Sequence, residues 1–299
     1  MNKLLKTLLP LLVLCLLLVA QRYISTPTSS VEEEPATAPM EENDDESTAP
    51  AQEVEENISA PQGDSEVFAL PSFSKGEEKS GSTLLVEHEG FTLLFDKKTM
   101  CPLWVAWELT ADETRGKVSR QGVDFKEDAK VPEQYQVASW DYNGGHYGRG
   151  HMCPAGDMKW SQKAMQDCHY MTNICPQTAE LNRNWWEHLE RACREWARHE
   201  GAIQIVCGPV FSERPKLFGK RHKIAVPKAF YKVVLSQQKG REKALGFYYF
   251  NDDSPQPMED AVRSVDEIEQ LTGIDFFSSL PDELEDRLEA MTDLRAWDK

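Results

Sequence analysis

The stretch from Tyr147 to Glu190 constrains the fold of this chain more than any other. It reads YGRGHMCPAGDMKW and then, after a short spacer, HYMTNICPQTAELNRNWWEHLE. One candidate strand ends at Gly150-His151, and a second runs from Tyr170 to Ile174. The clearest helix of the chain opens near Leu181. There Trp185, Leu189, Ala192, Cys193 and Trp196 recur at i, i+4, i+7, i+8 and i+11, giving one apolar stripe, and Gly201 stops the helix. A strand, a loop, a strand and a helix bring His151, Asn173 and Asn182 together. Glu190 follows Asn182 by eight residues, about 80° round the helix axis at about 100° per residue. Both side chains can therefore flank one cleft.

The flanks supply the rest of a domain. Leu84-Leu85-Val86 and Phe91 to Phe95 surround Glu89-Gly90, which predicts a β-hairpin. Leu103 to Trp107 predicts a buried third strand, and Ala202–Cys207, Phe230–Leu235 and Ala244–Phe250 predict three more. Ser264 with Glu267 three residues on is a capping box for a helix that stops at Gly273. Pro281 fits the first turn of a last helix through about Ala290. Runs of strands mixed with separate helices predict an α+β domain, a central, mainly antiparallel sheet flanked by helices, over residues 81–299.

What precedes that domain cannot join its core. Lys3 and Lys6 lead into an apolar run from Leu8 to Ala20, so residues 1–25 read as a signal peptide or a membrane anchor. Either reading predicts an exported protein, periplasmic, extracellular or membrane-anchored facing outside the cytoplasm. Residues 26–80 are rich in acidic residues, Pro, Ser, Ala and Thr and read as a disordered acidic linker. Residues 26–66 alone hold 13 acidic residues and no Lys or Arg. The leader through Arg22 adds +3, so the net charge of -17 leaves about -17 + 13 - 3 = -7 for the remainder. Such a domain binds a polyanion only through a local basic patch and a metal ion. Beyond Cys15 there are six cysteines with no CxxC pair. In an exported chain they predict disulfides; as buried small hydrophobes they need none.

Arg149, His151, Asn173, Asn182 and Glu190 are the residue types that metal-dependent phosphodiester hydrolysis requires. An imidazole with an ordinary pKa of about 6.5 can deprotonate water. A hard cation neutralises charge at the phosphate and keeps most of its waters, so a neutral amide oxygen suffices as ligand. A guanidinium can clamp phosphate through two hydrogen bonds. Each residue taken alone also has a plainer role: His151 a structural histidine, Asn182 a helix cap, Glu190 a surface charge paired with Arg194 at i+4, and Asn173 a turn residue at a strand end.

In this order and spacing the residues Arg149-Gly150-His151, Pro154, Asp157, Asn173, Pro176-Gln177, Asn182, Trp186 and Leu189-Glu190 resemble the sugar-non-specific DNA/RNA endonucleases of the ββα-metal, or His-Me finger, class, which includes the endonuclease G type. Weaker similarity runs from about Leu84 to Leu288. The resemblance implies a metal-dependent endonuclease that cuts DNA and RNA with little sequence preference. It implies His151 as general base, Asn182 as the direct ligand to Mg²⁺ or Mn²⁺, and Glu190 holding metal-bound water. It further implies Asn173 orienting His151 or the water, and Arg149 and Arg120 contacting phosphate or supporting the site. DNA and RNA are the implied partners, with a homodimer as one option. The rival readings are a phosphodiesterase of the same fold on another substrate and an inactive nucleic-acid-binding or surface protein. One departure stands out: Gly148 occupies the position where the family has Asp. It is expected to loosen Arg149 or the turn without inactivating the site.

Overall fold

A computed structural model describes residues 70–73 and 81–298. The hairpin forms as its sequence requires: Thr83–His88 (β1) pairs antiparallel with Phe91–Asp96 (β2) across Glu89-Gly90. Cys101–Thr110 (β3) follows and is buried along most of its length. The middle of the chain gives Gly148–His151 (β4), Gln162–Asp167 (α1), Ile174–Gln177 (β5) and Trp186–Glu200 (α2). Ala202–Val210 (β6), Ala229–Ser236 (β7) and Lys243–Phe250 (β8) return to the sheet. Val265–Thr272 (α3) and Asp282–Glu289 (α4) close the fold.

The main sheet has seven strands in the order Val262–Arg263, β8, β7, β6, β3, β2, β1. Every neighbouring pair in it is antiparallel. Side chains alternate between its two faces, as pleating demands. Val105, Trp107 and Leu109 of β3 join Phe230 and Val234 of β7 in a core with Trp186, Leu189, Cys193 and Trp196 of α2. The other face packs Trp104, Ala106, Tyr231, Val233 and Leu235 against Val265, Ile268 and Leu288 of α3 and α4. The expected α+β sheet with flanking helices is therefore what forms.

Several boundaries move. Tyr170–Ile174 is not a strand: Met171–Asn173 makes a 3-10 turn and β5 starts at Ile174. A π turn over Leu181–Trp185 precedes α2. Its i→i+5 bonding takes up an extra residue and shifts the phase of the stripe. Trp186, not Trp185, is the aromatic that enters the core, followed by Leu189, Cys193, Trp196 and Ala197. Gly201 ends the helix at φ 86°. Ser264 caps α3 in a full capping box with Glu267, and Gly273 ends it in the left-handed conformation. Pro281 sits one residue ahead of α4 as its N-cap.

The boundary expected near residue 81 also moves. Ser72–Phe73 pairs antiparallel with Ile274–Asp275, and Pro71 is buried. Residues 70–73 thus belong to the folded unit and not to the linker. The leader over residues 1–25 and the rest of the linker lie outside the described residues. All six cysteines, Cys101, Cys153, Cys168, Cys175, Cys193 and Cys207, are buried and free, so the expectation of disulfides gives way to that of small core residues. Among the described residues no helix is long and apolar enough to cross a membrane.

Candidate active site

β4 and β5 form a separate antiparallel ribbon, with Gly148 opposite Gln177 and His151 opposite Ile174. The chain leaves β5 directly into the π turn and α2. This ribbon and helix enclose a cleft of about 610 Å³ lined by Arg120, Phe125, Gly148, Arg149, His151, Asn182, Arg183, Glu187 and Glu190, with the loop Pro154–Gly156 across one side. Five of the six side chains expected from sequence meet there: Arg120, Arg149, His151, Asn182 and Glu190. Asn173 does not.

Asn173 is fully buried, and its amide is used on backbone. Its Oδ1 accepts from Cys153 N at 2.9 Å, and its Nδ2 donates to Cys153 O and Cys168 O, each at 2.8 Å. It clasps the chain just beyond His151 to the segment after α1. It therefore holds the backbone that carries His151, where the expectation had it orienting the imidazole or a water.

Rings hold His151 instead. Its imidazole packs on Phe125 at 5.2 Å between centroids and edge-on against His169 at 4.9 Å. Its Nε2 is sealed from solvent and has no hydrogen-bond partner. Burial, then the neighbouring His169 and Arg120, push its pKa well below the usual histidine range, so the ring is neutral. His151, Cys168 and His169 bring three ligand-type atoms within 4.8 Å of one another. The Cys168 thiol is pushed up to about 12 by burial and donates to Met165 O. His169 Nδ1 is also engaged, at 2.8 Å from Met165 O. The cluster is therefore packing around His151.

The guanidinium groups of Arg120 and Arg149 lie 5.7 and 5.6 Å from the centre of the Phe125 ring. Arg149 Nη2 also donates to Ser139 O and, at 2.8 Å, to Asn143 Oδ1. Those bonds tie one end of its guanidinium to the loop before β4. Phe125 links both arginines to the imidazole.

Asn182 and Glu190 present unspent oxygens. Neither side chain makes a hydrogen bond or ion pair with a described residue. The expected Glu190–Arg194 pair does not form. Arg194 Nη1 instead donates to Asp157 Oδ1 at 2.8 Å, and Trp107 Nε1 donates to Asp157 Oδ2 at 3.2 Å. This joins the cleft loop to α2. Gly156 lies beneath that bond, and a Cβ there would stand 2.6 Å from Arg194 Nη1 and push the guanidinium aside. Burial pushes the Glu190 carboxyl up to about 7, against the pull of Lys232 and Arg194.

Lys232 is the residue the sequence reading missed. It sits in the strand AFYKVVLS at a position that alternation assigns to the core, and it is fully buried. Its Nζ lies 4.7 Å from the Trp186 ring and 5.3 Å from the Trp107 ring, with no hydrogen-bond partner. A lone cation in an apolar strand was the available signal. It places positive charge behind the helix that carries Glu190.

At Gly148 a Cβ would lie 3.6 Å from both Asn182 Nδ2 and Gln177 O. That is ordinary contact, so the backbone at this position has room for a Cβ.

A two-stranded ribbon feeding a helix, with imidazole, amide and carboxylate around one cleft, is the architecture of a ββα-metal nuclease. The chain belongs to the DNA/RNA non-specific endonuclease family, whose model matches residues 69–283. It is similar to endonuclease G, mitochondrial, of Homo sapiens, at 31% identity over 212 residues, covering 67% of this chain and 71% of that protein. It is similar to nuclease 1, mitochondrial, of Schizosaccharomyces pombe, at 30% identity over 212 residues, covering 65% of this chain and 66% of that protein. A crystal structure of an EndoG/EndoGI complex shares the fold at TM-score 0.62 and 24% identity, covering 66% of this chain and 86% of that one. The chain is thus a non-specific DNA/RNA nuclease, metal-dependent as its family is. The relatives correct one expectation: they carry mitochondria in their names, which overturns the reading of an exported or outward-facing protein.

Proposed function

We propose that this cleft hydrolyses phosphodiester bonds with His151 as the general base and Asn182 as the direct protein ligand of Mg²⁺ or Mn²⁺. The observation that carries the reading is the convergence of a neutral imidazole with two unspent oxygen donors, Asn182 and Glu190, in one cleft. Oxygen donors without internal partners suit a hard divalent cation that keeps most of its water. Bound there, such an ion would neutralise charge on the scissile phosphate and the leaving oxygen.

The chain's own residues do the rest. His151 takes a proton from water through Nδ1, since Nε2 is sealed by its packing. Glu190 would accept hydrogen bonds from water held around such an ion. Arg149, fixed through Ser139 and Asn143, and Arg120 present donors to phosphate. Lys232 holds positive charge beneath Glu190 and favours its carboxylate form. Asn173, Asp157 and Arg194 position the backbone and loop around these groups.

The basic patch that so acidic a chain needs lies beside the cleft. Between Arg214 and Lys228 there are six basic residues, Arg214, Lys216, Lys220, Arg221, Lys223 and Lys228, and no acidic one. All six are exposed. This segment is tied to the loop that enters β4. Lys216 Nζ lies 5.6 Å from the Tyr147 ring, Phe218 packs edge-on against Tyr142 and Tyr147, and Asp141 accepts from the backbone N–H groups of Arg221 and His222. Lysines and arginines that meet phosphates bind without reading bases, which accounts for low sequence preference.

Plasmid DNA and RNA incubated with Mg²⁺ or with chelator test the activity, and His151→Ala tests the base. The parent should cut both substrates only with the metal. His151→Ala should lose about 10²–10⁴-fold in rate with an unchanged melting temperature. A well-folded His151→Ala that cuts at the parent's rate removes His151 from the mechanism.

A further inference from the structure

On the sheet face opposite the cleft, α3 and α4 bring several acidic side chains together. Asp266 and Glu269 lie one turn apart on α3, and Glu289 ends α4. One carboxylate oxygen from each lies within 4.8 Å of the other two. Glu289 is only 6% exposed, and its Oε1 is buried with no hydrogen-bond partner. Glu269 uses one oxygen, Oε1, to accept from Phe276 N at 2.7 Å, leaving the other free. Asp275 and Glu285 add negative charge to Glu289, and none of the five carboxylates forms an ion pair among the described residues. Burial and these like charges push Glu289 up to about 9 and Glu269 up to about 7. A buried carboxyl is ordinarily hydrogen-bonded, paired or bound to a metal, and among the described residues no lysine or arginine pairs with Glu289.

We propose that Asp266, Glu269 and Glu289 form a second divalent-cation site, of the calcium class, that clamps α3 to α4 away from the nuclease cleft. Oxygens bonded at about 2.3–2.6 Å to one Ca²⁺ can be as much as about 5 Å apart across it, and Ca²⁺ tolerates irregular carboxylate sets. Mg²⁺ demands a near-ideal octahedron at about 2.0–2.1 Å, which carboxylates drawn from two separate helices supply less readily. The ion joins two helices that otherwise meet through Val265, Ile268 and Leu288, and so stabilises the fold without entering catalysis. This site does not depend on the assignment of the cleft residues.

Calcium chloride added to the metal-free full-length chain tests the proposal by calorimetry. At about 100-fold above its Kd, one bound Ca²⁺ should raise the melting temperature by roughly 5–10 °C. Glu289→Gln and Asp266→Asn should each abolish the shift, and metal-free Glu289→Gln should melt no lower than the metal-free parent. Asn182→Ala, which alters only the cleft, should keep the shift. Two results overturn the proposal. In one, Ca²⁺ leaves the parent's melting temperature unmoved, as it would if the carboxyls simply shared protons. In the other, the shift survives Glu289→Gln and Asp266→Asn but is lost in Asn182→Ala, which would assign the calcium to the cleft.

Discussion

Replacing Asp157 with Ala removes the carboxylate that joins the cleft loop to α2. Asp157 is 1% exposed and its partner Arg194 16%. Removing one member of a buried pair costs about 3–5 kcal/mol, because the other charge stays buried without a partner. The Trp107 indole N–H loses its acceptor as well, which adds about 1 kcal/mol. Residual hydration of Arg194 recovers some of this, so a net loss of about 4 kcal/mol is expected. Domains are stable by only about 5–15 kcal/mol. At about 2–4 °C per kcal/mol for a domain of this size, melting should fall by roughly 8–16 °C. Activity should fall too, measured well below the new melting point, because Pro154–Gly156 lines the cleft and a shift of about 1 Å there can cost about 100-fold. Scanning calorimetry and initial rates on plasmid read both effects. Asp157→Ala combined with Arg194→Met removes both charges and should recover most of the melting temperature. If Asp157→Ala melts within about 2 °C of the parent, or the double variant is no more stable than the single one, the pair does not hold the loop.

Glu190 should set the acid limb of the pH–rate profile. Its carboxyl is pushed up to about 7, so it loses its charge below that pH, whereas His151 is shifted down and stays neutral. At low Mg²⁺ the rate should fall by about tenfold per pH unit below the limb, more Mg²⁺ should move the limb to lower pH, and Glu190→Gln should remove it. Stability runs in the opposite sense. A carboxyl whose pKa rises on folding stabilises below its unfolded value and loses that contribution as pH rises through about 7. In chelator, Glu190→Gln should therefore gain melting temperature relative to the parent between pH 5 and pH 8. The basic segment makes a separate prediction. Lys216→Gln, Lys220→Gln and Lys223→Gln together should lower the salt dependence of duplex binding by up to about 0.9 per lysine, or about 2.7 in slope. An unchanged slope would place the duplex elsewhere.

The strands and helices were legible where one period dominated. β1 to β3, β6 to β8 and the Ser264-capped α3 stand close to where alternation, turn residues and the capping box place them. The ends of the central stretch were not. A π turn and a 3-10 turn are set by what their side chains bond to, and periodicity does not record that. Asn173 is the clearest case: its amide is committed to Cys153 and Cys168 backbone, so a residue read as chemistry acts on geometry. Glu190 is the reverse, since Arg194, its nominal i+4 partner, is drawn to Asp157 across the fold and leaves the carboxylate free. Lys232 carried a signal, a lone cation in an apolar strand, but its place beneath Glu190 shows only once β7 and α2 pack together. The boundary at residue 70 escaped notice because a two-residue strand has too little pattern to register against an acidic background.

The central claim is that Asn182 is the protein's direct hold on the catalytic ion, and a Mg²⁺ titration of activity in Asn182→Ala tests it most directly. A single amide ligand implies modest affinity, with most coordination supplied by water. Chelator should abolish the parent's activity without unfolding the domain, unlike removal of a metal whose binding supplies the folding energy. Asn182→Ala should need far more Mg²⁺ for half-maximal rate, or lose activity at every concentration. Glu190→Gln, acting through water, should lose only about 10–100-fold. If Asn182→Ala shows the parent's Mg²⁺ dependence and rate, the ligand lies elsewhere and the account of this cleft is wrong at its centre.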